Sequence, residues 1–287
     1  MQLGAVLPQT ELGDDPTDLR RYVEGVAQLG FAHLAAYDHV LGADPAVHTG
    51  WRGPYDIDTT FHEPFVTFGF VAALCDLELV TSIVILPQRQ TALVAKQAAE
   101  IDLLSGGRFR LGVGVGWNHV EYDALGEDFT TRGRREEEQI ELLRRLWTER
   151  SVTFEGEFDR IVGAGLSPMP VQRPIPIWVG GSSDAAYRRI GRLADGWFPQ
   201  VPPGDRLDAA RAVVAAAATD AGRDPAIIGM EGRASWQADG GLERALDHIG
   251  RWESAGATHL SLNTMGAGFG SVDEHLDALS AIAAEVV

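Results

Sequence analysis

Short apolar runs alternate with longer amphipathic stretches along almost the whole chain, and this alternation is the first limit on the fold. LGAVLP reads as a strand; Asp15 and Pro16 then supply a helix cap and first turn, and Leu19, Tyr22, Val23 and Val26 share one helical face. Gly30 ends that helix. A second strand, FAHLAAYD, runs to Asp38, and the next helix begins near Pro64. ELVTSIVILP follows as a third strand whose nearly unbroken apolar character predicts burial on both faces, as in a parallel sheet.

The same beat continues. A helix over Thr91 to Leu104 stops at Gly106 and Gly107, and FRLGVGVG gives strand four with Phe109, Leu111, Val113 and Val115 alternating. REEEQIELLRRLW is a helix, VTFEGEFDRI a hairpin turning at Glu-Gly, and PIPIWVGG strand five, with helix five starting at Ser182 or Ser183. Strand six is GWFP at Gly196 to Pro199, strand seven lies near Ile227 to Met230, and strand eight is HLSLN at His259 to Asn263, each followed by a helix. Eight such beats predict an α/β fold and a (β/α)8 TIM barrel in preference to an open doubly wound sheet. The barrel is expected as one domain over residues 1–287, with an extended loop after strand 2 and a small hairpin insertion before strand 5. No linker, solenoid repeat or low-complexity segment interrupts it.

Composition narrows the partners. A formal net charge of −17 disfavours nucleic acid and anionic membrane surfaces, so a phosphate-bearing ligand needs a local pocket. The single cysteine, Cys75, expected in a barrel helix, excludes a disulfide framework. MQLGAVLPQT has neither the basic start nor the apolar run of a signal peptide or membrane span, and a cytoplasmic setting is expected.

Barrel chemistry sits at the carboxyl ends of the strands, which selects Asp38 and His39, Ser82 to Pro87, Gly114 to Glu121 and Gly180 to Ser183. Asp38 and His39, adjacent on a strand, point to opposite faces and do separate jobs; the pair also reads as a capping aspartate beside a loop histidine. Gly112, Gly114 and Gly116 lack the spacing of a dinucleotide fingerprint and fit either close approach of a flat ring or phosphate, or tight packing. Trp117, Asn118, His119 and Glu121 then enter a loop. Gly180, Gly181, Ser182 and Ser183 form a strand-to-helix junction that can hold a phosphate or simply cap a helix. The segment Val40 to Glu63, with His48, Trp51, Tyr55, Phe61 and His62, reads as a lid or pocket wall, or as aromatics packed on the rim or at a subunit interface. Neither H-E-x-x-H, nor clustered carboxylates, nor G-x-S-x-G is present, so no metal or serine-triad reading arises.

YDHV, TSIVILPQRQ, LLSGGRFRLGVGVGWNHVEYDALG and IWVGGSS with RLADGW, in that order, resemble the luciferase-like monooxygenase superfamily over most of residues 1–200. Within it the chain is most similar to the coenzyme F420-dependent oxidoreductase branch. The resemblance implies that Asp38, Ser82, Ile83, Gly114, Gly116, Trp117 and Asn118 surround the cofactor ring while Gly180, Gly181, Ser182 and Ser183 hold its phosphate. It puts His39 beside the reactive face as the catalytic acid or base and implies a non-prolyl cis peptide between Ser82 and Ile83. Trp51, His62 and Trp117 are the candidates for the substrate pocket. Trp117 stands where some deazaflavin dehydrogenases of the family have a glutamate, so their sugar-phosphate chemistry does not carry over. Three readings follow: a hydride-transferring oxidoreductase using coenzyme F420, a reduced-FMN two-component monooxygenase, and a flavin-binding barrel without turnover. The expected partner is a small-molecule substrate; a homodimer fits the superfamily, yet no stripe of residues singles out an interface.

Overall fold

Strand pairing follows a closed ring in the computed structural model, which describes residues 1–237 and 239–287. In chain order the strands are β1 (Gln2–Val6), β2 (His33–Ala36), β3 (Glu78–Thr81) with its continuation β4 (Val84–Ile85), β5 (Phe109–Gly114), the hairpin β6 (Val152–Glu155) and β7 (Arg160–Ala164), β8 (Ile177–Gly181), β9 (Gly196–Pro199), β10 (Gly229–Ser235) and β11 (His259–Asn263). β1 pairs with both β2 and β11, and β3 pairs with β5, so the parallel sheet has no free edge. The helices α1 (Pro16–Gln28), α2 (Pro64–Val71), α3 (Thr91–Leu104), α4 (His119–Ala124), α5 (Arg132–Thr148), α6 (Asp184–Leu193), α7 (Asp205–Asp220), α8 (Gly241–Ser254) and α9 (Val272–Val286) lie between and around them. The expected (β/α)8 barrel is therefore present, with the hairpin between α5 and β8 and a long segment without helix or strand before α2.

Strand alternation divides the core into two layers. Ala5, Leu34, Leu79, Leu111, Ile177, Trp197, Met230 and Leu260 face outward and join the large apolar cluster that the helices cover. Val6, Ala35, Val80, Trp178 and Phe198, one residue out of phase, form a small cluster inside the barrel. Glycines and polar residues occupy other interior positions. His33, Arg110, Glu231 and Ser261 are buried there together.

Local signals explain the element ends. Asp15 accepts from the Thr17 N–H at 2.8 Å and Pro16 opens α1, while Gly106 (φ 67°) and Gly107 (φ 86°) take left-handed conformations just past α3. Four expectations need correction. Strand seven is Gly229–Ser235 and not Ile227 to Met230, because its inward positions carry Glu231 and Arg233 and so show no apolar periodicity. β2 stops at Ala36, so strand alternation does not govern Asp38 and His39. The stretch after Gly116 is not all loop: Asn118 caps α4 by accepting from the Val120 N–H at 3.1 Å. Cys75 lies in the loop between α2 and β3, not in the helix. Strand three is interrupted at Ser82–Ile83, whose peptide is cis. Among the described residues no helix is long and apolar enough to cross a membrane.

Candidate active site

A cleft of about 400 Å³ opens at the carboxyl ends of the strands. The end of β2 contributes Tyr37, Asp38 and His39, the broken third strand Ser82, Ile83 and Ile85, and the turn after β5 Gly114 to Trp117. Gly180 to Ser183 line it where β8 meets α6. Phe198, Gln200 and Arg233 close the side formed by β9 and β10, and Tyr55 enters from the segment between β2 and α2.

His39 is held by a carboxylate. Its Nδ1 lies 3.2 Å from Glu121 Oε1, which also accepts from the Val40 N–H at 2.7 Å and the Leu41 N–H at 3.1 Å, while Gln88 donates to Oε2 at 3.3 Å. Burial alone would push the Glu121 carboxyl up, but the His39 imidazole and the two N–H groups outweigh it and hold the acid below its ordinary range. An ionised acceptor on Nδ1 makes that nitrogen the donor. Nε2 then carries the free lone pair of the neutral ring, with no hydrogen-bond partner among the described residues. Tyr55, Phe61 and Trp117 pack around the imidazole with ring centroids 5.0, 4.8 and 5.5 Å away. Replacing Glu121 by alanine should cost about 1–3 kcal/mol, since the Val40 and Leu41 N–H groups and the buried Gln88 amide lose a charged acceptor, and should let His39 populate both tautomers. Urea denaturation and ¹⁵N NMR of the imidazole measure the two effects; an unchanged midpoint and a single tautomer would show that the carboxylate does not set the ring.

Asp38 is engaged within the protein. It accepts from the Ile85 N–H at 3.1 Å and from Arg89 at 2.8 Å, and Arg89 reaches Glu63, the cap of α2, at 3.0 Å. Burial pushes the Asp38 carboxyl up; the Arg89 guanidinium and the Ile85 N–H oppose that shift. This bridge ties the end of the long segment to the floor of the cleft.

The glycines of the turn make room for neighbouring side chains. A Cβ on Gly114 would stand 2.8 Å from Ile83 Cδ1, and one on Gly116 (φ 63°) 2.8 Å from Ile85 Cγ2. The two isoleucines thus press against bare backbone and form an apolar wall along the cleft. At its other end, Ser183 caps α6 by accepting from the Ala186 N–H at 3.2 Å, which leaves its O–H to donate. Ser182 is exposed, and the first N–H groups of α6 have no acceptor within the helix. The acid in this first turn, Asp184, lies 3.6 Å from Arg188. An apolar wall joined to a cluster of neutral donors at a helix start suits a flat ring bearing a phosphate.

The structure brings together His39, Asp38, Ser82, Ile83, Gly114, Gly116, Trp117 and Gly180 to Ser183, but not every candidate residue. Asn118 is buried, capping α4 and donating to the Leu41 carbonyl at 3.3 Å, and does not line the cleft. His62 contacts the Gly13 carbonyl at 3.1 Å, away from the cleft. Trp51 stacks behind Trp117, 5.6 Å between centroids, outside the cleft wall. Tyr37 and Arg233 enter the site unforeseen, and Glu121, selected only as the end of the stretch after strand four, takes the role of partner to His39. Asn118-x-x-Glu121 has the spacing of a capping box, but the Glu121 side chain reaches residues 39–41.

A family model described as luciferase-like monooxygenase matches residues 1–280. The chain belongs to the luciferase-like monooxygenase family. An uncharacterized protein of Mycobacterium tuberculosis is 43% identical over 151 residues, 51% of this chain and 52% of that relative, so the chain spans about half the length of such curated relatives in the match. The FMNH2-dependent dimethylsulfone monooxygenase of Pseudomonas fluorescens is 37% identical over 62% of this chain and 47% of its own length. An F420-dependent secondary alcohol dehydrogenase, solved with an F420-acetone adduct, superposes with a TM-score of 0.79 over 98% of each chain at 17% identity, a likeness of fold.

Proposed function

We propose that this luciferase-like protein transfers a hydride between coenzyme F420 and a small organic substrate in the cleft at the barrel mouth. The observation that carries the proposal is the arrangement of the cleft: the Ile83 and Ile85 wall, the donors of Gly180 to Ser183 at one end, and the imidazole of His39 beside both. A deazaflavin supplies a carbon that gives or takes a hydride and reacts poorly with oxygen. The protein's own tasks are then few. Ile83 and Gly114 would set the face of the ring, Ser182 and Ser183 would bind the phosphate, and His39 would hold the proton that accompanies the hydride, at Nε2. Trp117 and Tyr55 would cover the reacting face from water, and the cleft beside them is what distinguishes a turnover site from a mere flavin carrier.

A second reading is a reduced-FMN monooxygenase, favoured by the 37% identity to the dimethylsulfone enzyme. Equilibrium titration of the purified protein with oxidised F420 and with FMN separates the two, with tighter binding of F420 expected. In the same titrations Ser182→Ala with Ser183→Ala should weaken the preferred cofactor by about 1–3 kcal/mol, because two hydroxyl donors to a charged group are lost while the backbone donors remain. Stronger binding of FMN would transfer the proposal to the second reading, and unaltered affinity in the double variant would put the phosphate elsewhere.

A further inference from the structure

We propose that Arg233 forms an anion-binding subsite for the substrate, and that the substrate class is an organic carboxylate. The inference builds on the cleft being the cofactor and substrate site. Arg233 lies two residues beyond Glu231 on β10, and the alternation that turns Glu231 into the barrel turns Arg233 into its mouth. Its side chain has one protein hydrogen bond among the described residues, a 3.3 Å contact to the phenol oxygen of Tyr37. No carboxylate of the described residues pairs with it, although the chain has 41 acidic residues against 24 basic ones. Asp38, the acid in the cleft wall, is already bridged to Arg89. The guanidinium therefore stands open at the cleft with no ion-pair partner among the described residues; Glu231, two positions back on β10, shares the wall of a small adjoining cavity with it but is bridged to Arg110.

The surroundings reinforce that charge. Arg233 also lines an adjoining cavity of about 200 Å³, where Gln200, His248 and Arg251 share the wall and none of the lining residues described is acidic. Arg251 is turned to the Pro203 carbonyl at 3.1 Å and does not line the cleft itself. One cation thus faces the cleft, flanked by the neutral donors of Tyr37 and Gln200. A planar fork with a single charge matches a carboxylate, whereas a dianion would call for a second cation. β9 separates Arg233 from the donors of Gly180 to Ser183, so the substrate anion and the cofactor phosphate have separate places. Tyr37, Tyr55 and Phe198 beside the guanidinium give an apolar body to carry the group.

The test compares benzoate with benzamide, equal in shape and different in charge, by calorimetric titration of the protein both free and loaded with the cofactor it prefers. Wild type should bind benzoate about tenfold more tightly than benzamide, Arg233→Met should abolish the preference with cofactor affinity unchanged, and Arg233→Lys should keep part of it. Equal binding of the two probes by wild type would overturn the proposal, as would a preference that survives in Arg233→Met. Loss of cofactor affinity in Arg233→Met with benzoate unaffected would assign the guanidinium to an acidic group of the cofactor and overturn it too. If neither F420 nor FMN binds, the redox reading of the cleft fails, while the comparison on the free protein still decides for or against the Arg233 subsite.

Discussion

His39→Ala is expected to lower turnover by about 10²–10⁴-fold while cofactor affinity stays within about twofold of wild type. The asymmetry comes from where the imidazole acts. Its Nδ1 is committed to Glu121, and its Nε2, in a ring that lines the cleft, has no hydrogen-bond partner among the described residues. A proton donor or acceptor contributes mainly in the transition state, so kcat falls and ground-state binding does not. Single-turnover absorbance of the loaded enzyme, with a substrate found by screening small carbonyl compounds and carboxylates, measures the chemical step apart from release. A variant running at the wild-type rate would move the proton to His119 or to water. His62, held at the Gly13 carbonyl, is not in place to take it over.

Much of this site could be read from the chain because its parts are local. The junction Gly180 to Ser183 and the turn around Gly116 each announce themselves by small residues between a strand and a helix, and the barrel rule puts both at one end. The strands GWFP and HLSLN and the helix Thr91–Leu104 match their expected bounds because an apolar outward face and clear stops coincide there. What escaped depends on distance along the chain. Glu121 meets His39 across 82 positions, and neither residue's neighbours hint at the other. Arg233 escaped for a different reason. β10 reads GMEGRAS, and a search for apolar alternation passes over a strand whose inward side is charged. Asn118 and His62 differ the other way: neither lines the cleft, Asn118 being engaged in capping α4 and His62 in a backbone contact.

The charge that hid β10 predicts the largest effect on stability: Glu231→Ala is expected to cost about 3–5 kcal/mol. Glu231 is buried in the barrel, accepting from Arg110 at 2.5 Å and from the Ser261 hydroxyl at 2.5 Å, with His33 Nε2 3.2 Å away. Arg110, itself buried, lies over the Trp178 ring at 4.2 Å and keeps only Glu78, at 2.9 Å, once Glu231 is gone. Burial pushes the Glu231 carboxyl up, but His33 and Arg110 more than reverse this and hold it well below the usual range. A carboxyl depressed in the folded state stabilises fully above its unfolded value, about 4.3, and less as pH falls below it. The gap between wild type and Glu231→Ala in urea midpoints should therefore be widest near neutrality and narrow below about pH 4. Equal midpoints at pH 7 would mean that the barrel interior tolerates Arg110 without this partner, and that the cluster adds nothing to the fold.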